Sequence, residues 1–372
     1  MWRRTSALDI VRAMERSDFV SFSWVALSAA LAGAACGDGD DAQTDPSGGS
    51  TAVAPASGTN EADTAADETT TSGTPDTGAT GETSTGAEQD DNCAALAEGL
   101  VTDFMVGDTA RAFVLNLPDG VEQGGPWAVV FNWHGLGDTA QNMAGLVSPH
   151  VNHPDMPFIA VTPEDTDVEL AIPLLAGQSM DWDVFNVSAR ANLEVALFDE
   201  VLACLDDRYG VDPMHVHSMG FSLGGVTTDM LVSQRSDRIA SVATYSGGYW
   251  NNEVNVGGLL GSVVTWPEFD VETQYAQLFM HGGRNDLFDL SVLQLHFDQY
   301  AVADSLFLNE RGHDTVICDH GAGHSASAPG MGADRFIEFF AAHPHGTTES
   351  PYASGLPASF ADYCAFGGKT TE

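Results

Sequence analysis

Residues 214–225 read MHVHSMGFSLGG: a short apolar strand, Met214 to Ser218, runs into the pentapeptide Gly220 to Gly224 and from there into a helix-compatible segment. A G-x-S-x-G turn between strand and helix forces its serine into a strained backbone conformation. The flanking glycines are needed where a Cβ would strike the neighbouring elements. The Ser222 hydroxyl is thereby lifted out of the packed interior beside a helix N-terminus, where a nucleophile belongs. A Gly-rich turn between strand and helix also serves purely structural ends, so the placement of the pentapeptide carries the reading.

Outward from this turn, strands and helices alternate. Strands are predicted over 108–117, 127–133, 158–162, 239–245, 277–281 and 315–318. A long amphipathic helix is predicted over 191–209, with Leu193, Leu197, Val201 and Leu205 at four-residue spacing, and further helices after the turn, near 291–302 and over 332–342. The alternation specifies an α/β fold with a mostly parallel central sheet and helices on both faces. Reactive groups then belong at the carboxyl ends of the strands.

Three such ends carry what Ser222 requires. A serine hydroxyl needs a base to take its proton and a third group to orient that base. His324, in DHGAGHS after the last strand, is the expected base; Gly321 and Gly323 let its loop curl, and His320 is the nearest competitor. Asp286 in RNDLFD is the expected acid, with Asp289 competing. The chain order Ser, Asp, His is that of an α/β-hydrolase. Strand VVFNW ends at His134 and Gly135, where one oxyanion donor belongs; Leu136 is expected to supply that amide, with Gly135 as fallback, and Leu223 the other. His134 is read as lying under the oxyanion hole and bordering the substrate. Trp182, between Asp181 and Asp183, either lines an aromatic substrate pocket or serves as a core or lid tryptophan.

The segments FNWHGLGD, LDDRYGVDPMHVHSMGFSLGG, MHGGRND and DHGAGHS, in this order, resemble the polyhydroxybutyrate depolymerase and feruloyl esterase group of α/β-hydrolases. The resemblance spans most of residues 93–343. It implies Ser222 as nucleophile, Asp286 as acid and His324 as base. Relatives commonly carry the acid four residues after the His of the HG pair, which here is Asn285, so Asp286 implies a one-residue insertion. The group acts on aromatic esters, acetyl esters and polyester chains, and membership does not select among them.

The chain of 372 residues falls into three parts. Residues 1–36 read as a lipoprotein-type export signal: Arg3, Arg4, Arg12 and Arg16 precede an apolar run that ends in small residues before Cys36, the expected acylation site. An ordinary secretory signal is the alternative. Residues 37–92 are rich in Thr, Gly, Ala, Ser and acidic residues and lack any aromatic, Lys or Arg, which predicts a disordered tether. Residues 93–372 are long enough for one substantial core. The net charge of −40, with Lys369 the single lysine, argues against a nucleic-acid partner. With Cys36 acylated, Cys93, Cys204, Cys318 and Cys364 remain, an even set in an oxidising compartment. Their places in the layout favour Cys93 with Cys204 and Cys318 with Cys364.

His313, Cys318, Asp319, His320 and His324 match no common zinc spacing, and the acidic loop with Glu164, Asp165, Asp167 and Glu169 reads as solvated. No metal or cofactor is assigned. The expected function is hydrolysis of carboxylic esters through an acyl-enzyme, by an exported protein whose only membrane contact is a lipid anchor. A catalytically silent surface-binding module is the alternative.

Overall fold

The computed structural model describes residues 92–94, 96–169, 179–184, 192–248, 273–289 and 294–367. The expected export signal with Cys36, and the expected tether apart from Asn92, lie outside these residues. In chain order the strands are β1 Gly99–Val106, β2 Thr109–Asn116, β3 Trp127–Trp133, β4 Phe158–Pro163, β5 Val168–Glu169, β6 Ser179–Met180, β7 Val211–Phe221, β8 Ser241–Tyr245, β9 Ala276–His281, β10 Leu287–Asp289, β11 Gln294–His296, β12 Asp314–Asp319 and β13 Cys364–Phe366. The helices are α1 Ala140–Val147, α2 Leu193–Tyr209, α3 Leu223–Gln234, α4 Phe297–Glu310 and α5 Ala333–Ala342.

Nine strands form one sheet in the order β1-β2-β4-β3-β7-β8-β9-β12-β13. The six from β4 to β12 are parallel, while β1, β2 and β13 add antiparallel pairs at the two ends. A strand buried on both faces reads as a continuous apolar run, and all seven residues of β3, WAVVFNW, are buried. Successive side chains of β3 then feed opposite cores. Val129, Phe131 and Trp133 pack with α2, α3 and α4, through Phe198, Met230 and Leu308 among others. Ala128 and Val130 pack with the second core, to which α5 gives Phe336, Ile337, Phe339 and Phe340, and the C-terminal tail gives Tyr352 and Phe360.

The chain leaves β3 towards β4 on one side and leaves β7 towards β8 on the other, so the strand order reverses between β3 and β7. That is where a crevice opens at the carboxyl ends of an α/β sheet. The register pairs Trp133 with Gly220 there, which fixes the loop after β3 beside the turn after β7.

Some expectations need correction. β1 was not predicted: Asp103 takes a φ of 58° and the β1–β2 register shifts between Val101 and Phe104, so the buried positions Val101, Phe104 and Val106 lose strict alternation. The short α1, capped by the Thr139 hydroxyl accepting from the Asn142 amide, was also missed. The helix expected near 291–302 runs instead over α4, because β10 and β11 form a hairpin ahead of it. The tail does more than fold back over the domain: β13 pairs with β12 and closes that side of the sheet. Cys93 is bonded to Cys204, and Cys318 to Cys364, the latter directly opposed across the β12–β13 pair.

Candidate active site

Ser222 sits between β7 and α3 with φ 54° and ψ −118°, a region that non-glycine residues rarely occupy. Its amide donates to the Tyr245 carbonyl at 2.8 Å, which holds the turn in place. The turn is tight because its glycines remove atoms: a Cβ on Gly220 would overlap the Gly224 carbonyl, and one on Gly224 would overlap the Trp133 and His134 carbonyls. The first turn of α3 therefore rests directly on the backbone that leaves β3.

His324 reaches Ser222 from the loop after β12. Its Nε2 lies 3.0 Å from Ser222 Oγ, and its Nδ1 lies 2.8 Å from Asp286 Oδ1. The ring is wedged between aromatic neighbours, with Phe297 stacked at 4.8 Å and Phe221 at 4.9 Å between centroids. About a fifth of the His324 side chain stays exposed, so one edge of the site meets solvent.

Asp286 is fully buried and its carboxylate meets three donors. Oδ2 accepts from the Ser246 hydroxyl at 2.8 Å and from the Gly282 amide at 2.9 Å, while Oδ1 serves His324. A buried carboxylate persists only with such partners. The loop bearing it is tied to the His324 loop by the Gly323 amide donating to the Gly282 carbonyl at 3.0 Å. Asn285 belongs to the 3-10 turn Gly283–Asn285 and is exposed. It is Asp286 that faces His324. The side chain of Asp289 lies outside the described residues.

Ser246 escaped the sequence reading. It follows β8 with φ 47°, is fully buried, and its amide donates to the Met280 carbonyl at 2.8 Å. The only signal was the run TYSGG at a strand end, which looks like an ordinary turn. His320, the competing base, is not the ring that meets Ser222: its Nδ1 accepts from the Ala322 amide at 3.3 Å, and burial lowers its pKa.

On the other side of Ser222 lies the loop after β3. A Cβ on Gly135 would come within 3.4 Å of Ser222 Cβ, so the Gly135–Leu136 peptide borders the nucleophile. The Leu223 amide opens α3, where helix geometry provides no internal acceptor. Leu136 is half-exposed, and its amide donates to no acceptor among the described residues. Trp182 and His134 require correction as substrate-binding residues. Both are fully buried. Trp182 Nε1 donates to the His134 carbonyl at 3.1 Å, and its ring meets Trp133 edge-on at 5.2 Å. Of its two expected roles Trp182 takes the core one, bracing the loop from beneath. The Gly137 amide adds a second brace by donating to Asp181 Oδ2 at 2.6 Å.

Taken together, the geometry offers a hydroxyl bonded to an imidazole, an imidazole bonded to a buried carboxylate, and two amides beside the hydroxyl. Such a group can activate an oxygen nucleophile and accept a developing oxyanion.

No family model matches the chain. Feruloyl esterase D of Neurospora crassa is 28% identical over 153 residues, which is 41% of this chain and 50% of that protein. The chain therefore matches about half the length of this curated relative. Among solved structures, native pOPH is 15% identical with a TM-score of 0.57, covering 74% of this chain and 96% of its own. Native sOPH is 17% identical with a TM-score of 0.57, covering 73% and 95%. The structural likeness and the sheet order establish an α/β-hydrolase fold. The similarity to feruloyl esterase D agrees with the group resemblance read from the sequence.

Proposed function

We propose that this chain is an exported serine esterase that hydrolyses carboxylic esters of feruloyl, acetyl or hydroxyalkanoate type. Residues 1–36 act as its export signal with Cys36 as lipid anchor, 37–92 as tether, and 93–372 as the catalytic domain. The observation that carries the reading is the continuous hydrogen-bond path from Ser222 through His324 to Asp286, at 3.0 and 2.8 Å, starting from a strained serine.

In the proposed reaction Ser222 Oγ attacks the ester carbonyl as His324 Nε2 takes its proton, and Asp286 stabilises the resulting imidazolium. The tetrahedral oxyanion is held by the Leu136 and Leu223 amides. Collapse breaks the C–O bond to the alcohol, which leaves with the proton from His324. Water, deprotonated by the same imidazole, then attacks the acyl-enzyme, and the acid departs as Ser222 regains its proton. The chemistry draws on this chain's own groups throughout. Labelling by a fluorophosphonate probe tests the reading: covalent modification at Ser222 is expected, and a folded protein left unlabelled would overturn it. Hydrolysis of methyl ferulate, acetylated xylan and short hydroxybutyrate oligomers, compared side by side, then assigns the ester class.

A further inference from the structure

The braced loop after β3 carries one feature that ester hydrolysis does not use. His134 is fully buried, and its Nδ1 lies 2.8 Å from the Gly135 carbonyl oxygen. A carbonyl only accepts, so Nδ1 holds the proton, and a neutral ring then presents a bare lone pair at Nε2. Nε2 has no hydrogen-bond partner. It faces Asp165, whose Oδ1 is 3.9 Å away, beyond hydrogen-bond range. Glu164 completes the group: one ligand atom from each of His134, Glu164 and Asp165 lies within 4.8 Å of the others. Among the described residues every arginine ion pair is made elsewhere, so no guanidinium compensates these carboxylates.

We propose that His134 Nε2, Glu164 and Asp165 bind a single divalent transition-metal ion of the Zn2+ class, which ties the loop after β3 to the loop after β4. A cation between the three groups gives the buried lone pair an acceptor and offsets the paired carboxylates. The donor set selects the metal: one imidazole nitrogen with two carboxylates suits Zn2+, whereas Ca2+ takes six to eight oxygens. The hydrogen bond from Nδ1 to a backbone carbonyl is the outer-shell contact that metal-ligating histidines make, fixing the tautomer. Glu164 is oriented in the same way, its Oε2 accepting from the Ala140 amide at 2.9 Å at the start of α1. Asp165 is partly exposed and gives the ion a way in. His134 immediately precedes the Gly135–Leu136 peptide beside Ser222, so the ion would steady that loop from behind without touching substrate.

The test is calorimetric titration of the untagged, chelator-stripped full chain with Zn2+ alone. One saturable ion per chain and a raised Tm are expected. Glu164→Gln, which keeps an oxygen for the Ala140 amide, and Asp165→Asn should each weaken binding by at least about tenfold. Absorption at the zinc edge of the wild-type protein needs no variant, and one imidazole among oxygen ligands is expected. No saturable uptake would overturn the proposal. Uptake unchanged in both variants, or a site with several imidazoles or sulfur, would also overturn it by placing the ion elsewhere. Each readout is binding or spectroscopy, so the outcome is independent of the esterase reading.

Discussion

Ser246 is the residue whose removal probes the site most selectively. It hydrogen-bonds neither the nucleophile nor the base, yet its hydroxyl gives Asp286 Oδ2 one of that oxygen's two donors, at 2.8 Å. A hydrogen bond to an ionised group is worth about 1.5–3 kcal/mol. If all of this is lost from the transition state, where the imidazolium leans on Asp286, kcat/KM falls roughly 10- to 150-fold. That lies well below the loss expected from removing the acid itself, because the Gly282 amide and His324 still hold the carboxylate. Ser246 has a φ of 47°, so Ser246→Ala and Ser246→Gly form a useful pair: both delete the hydroxyl, and only the second relieves the backbone. Hydrolysis of 4-nitrophenyl acetate, followed as kcat/KM against pH, is the assay. Both variants should lose activity alike. Activity within twofold of wild type in both variants would refute a positioning role.

Ser222→Ala and His324→Ala should each reduce ester turnover by about a thousandfold or more with the fold intact by circular dichroism. Asp286→Asn should cost far more than Asp289→Asn, and a larger loss at Asp289 would move the acid there. The buried Asp229 carboxyl has its pKa pushed up to about 8 by desolvation, against which the Gln277 hydrogen bond works. The folded chain then holds a proton that the unfolded chain releases near pH 4. Stability should therefore fall by about 1.4 kcal/mol per pH unit up to pH 8, and Asp229→Asn should flatten this slope in thermal melts. His313 acts in the opposite sense: burial lowers its pKa to about 4, so its contribution is complete above about pH 6.5 and is lost as pH falls towards 4. Replacing Cys93 and Cys204 together by Ser should remove roughly 2–4 kcal/mol of stability, seen as a lower Tm.

The parts of the molecule that were legible in the sequence are those where the local pattern and the tertiary environment agree. β3 and β9 are apolar runs because both faces are covered, and the turn at Ser222 is readable because backbone contact excludes every side chain at Gly220 and Gly224. Asp286 and His324 followed from their places after β9 and β12. β1 was not legible, since the kink at Asp103 breaks the period on which strand recognition depends. Ser246 was hidden for another reason: its hydroxyl acquires meaning only when β8 lies beside β9, a pairing that no local pattern encodes. Trp182 shows the converse, an aromatic residue between two carboxylates that looks exposed in the sequence and is enclosed by contacts from distant strands.

A sheet of this width has two rims, and each presents a row of unpaired backbone groups to which another chain can add. At one rim the bulge at Asp103 twists β1 and places a charge there. At the other, β12 would lie bare if the chain stopped after α5. The three residues of β13 cover it, and the bond from Cys364 to Cys318 keeps so short a ribbon in place. The last twenty or so residues before Phe366 thus leave only a three-residue strand at that rim, and a very short edge strand is one of the ways a sheet blunts the addition of another chain.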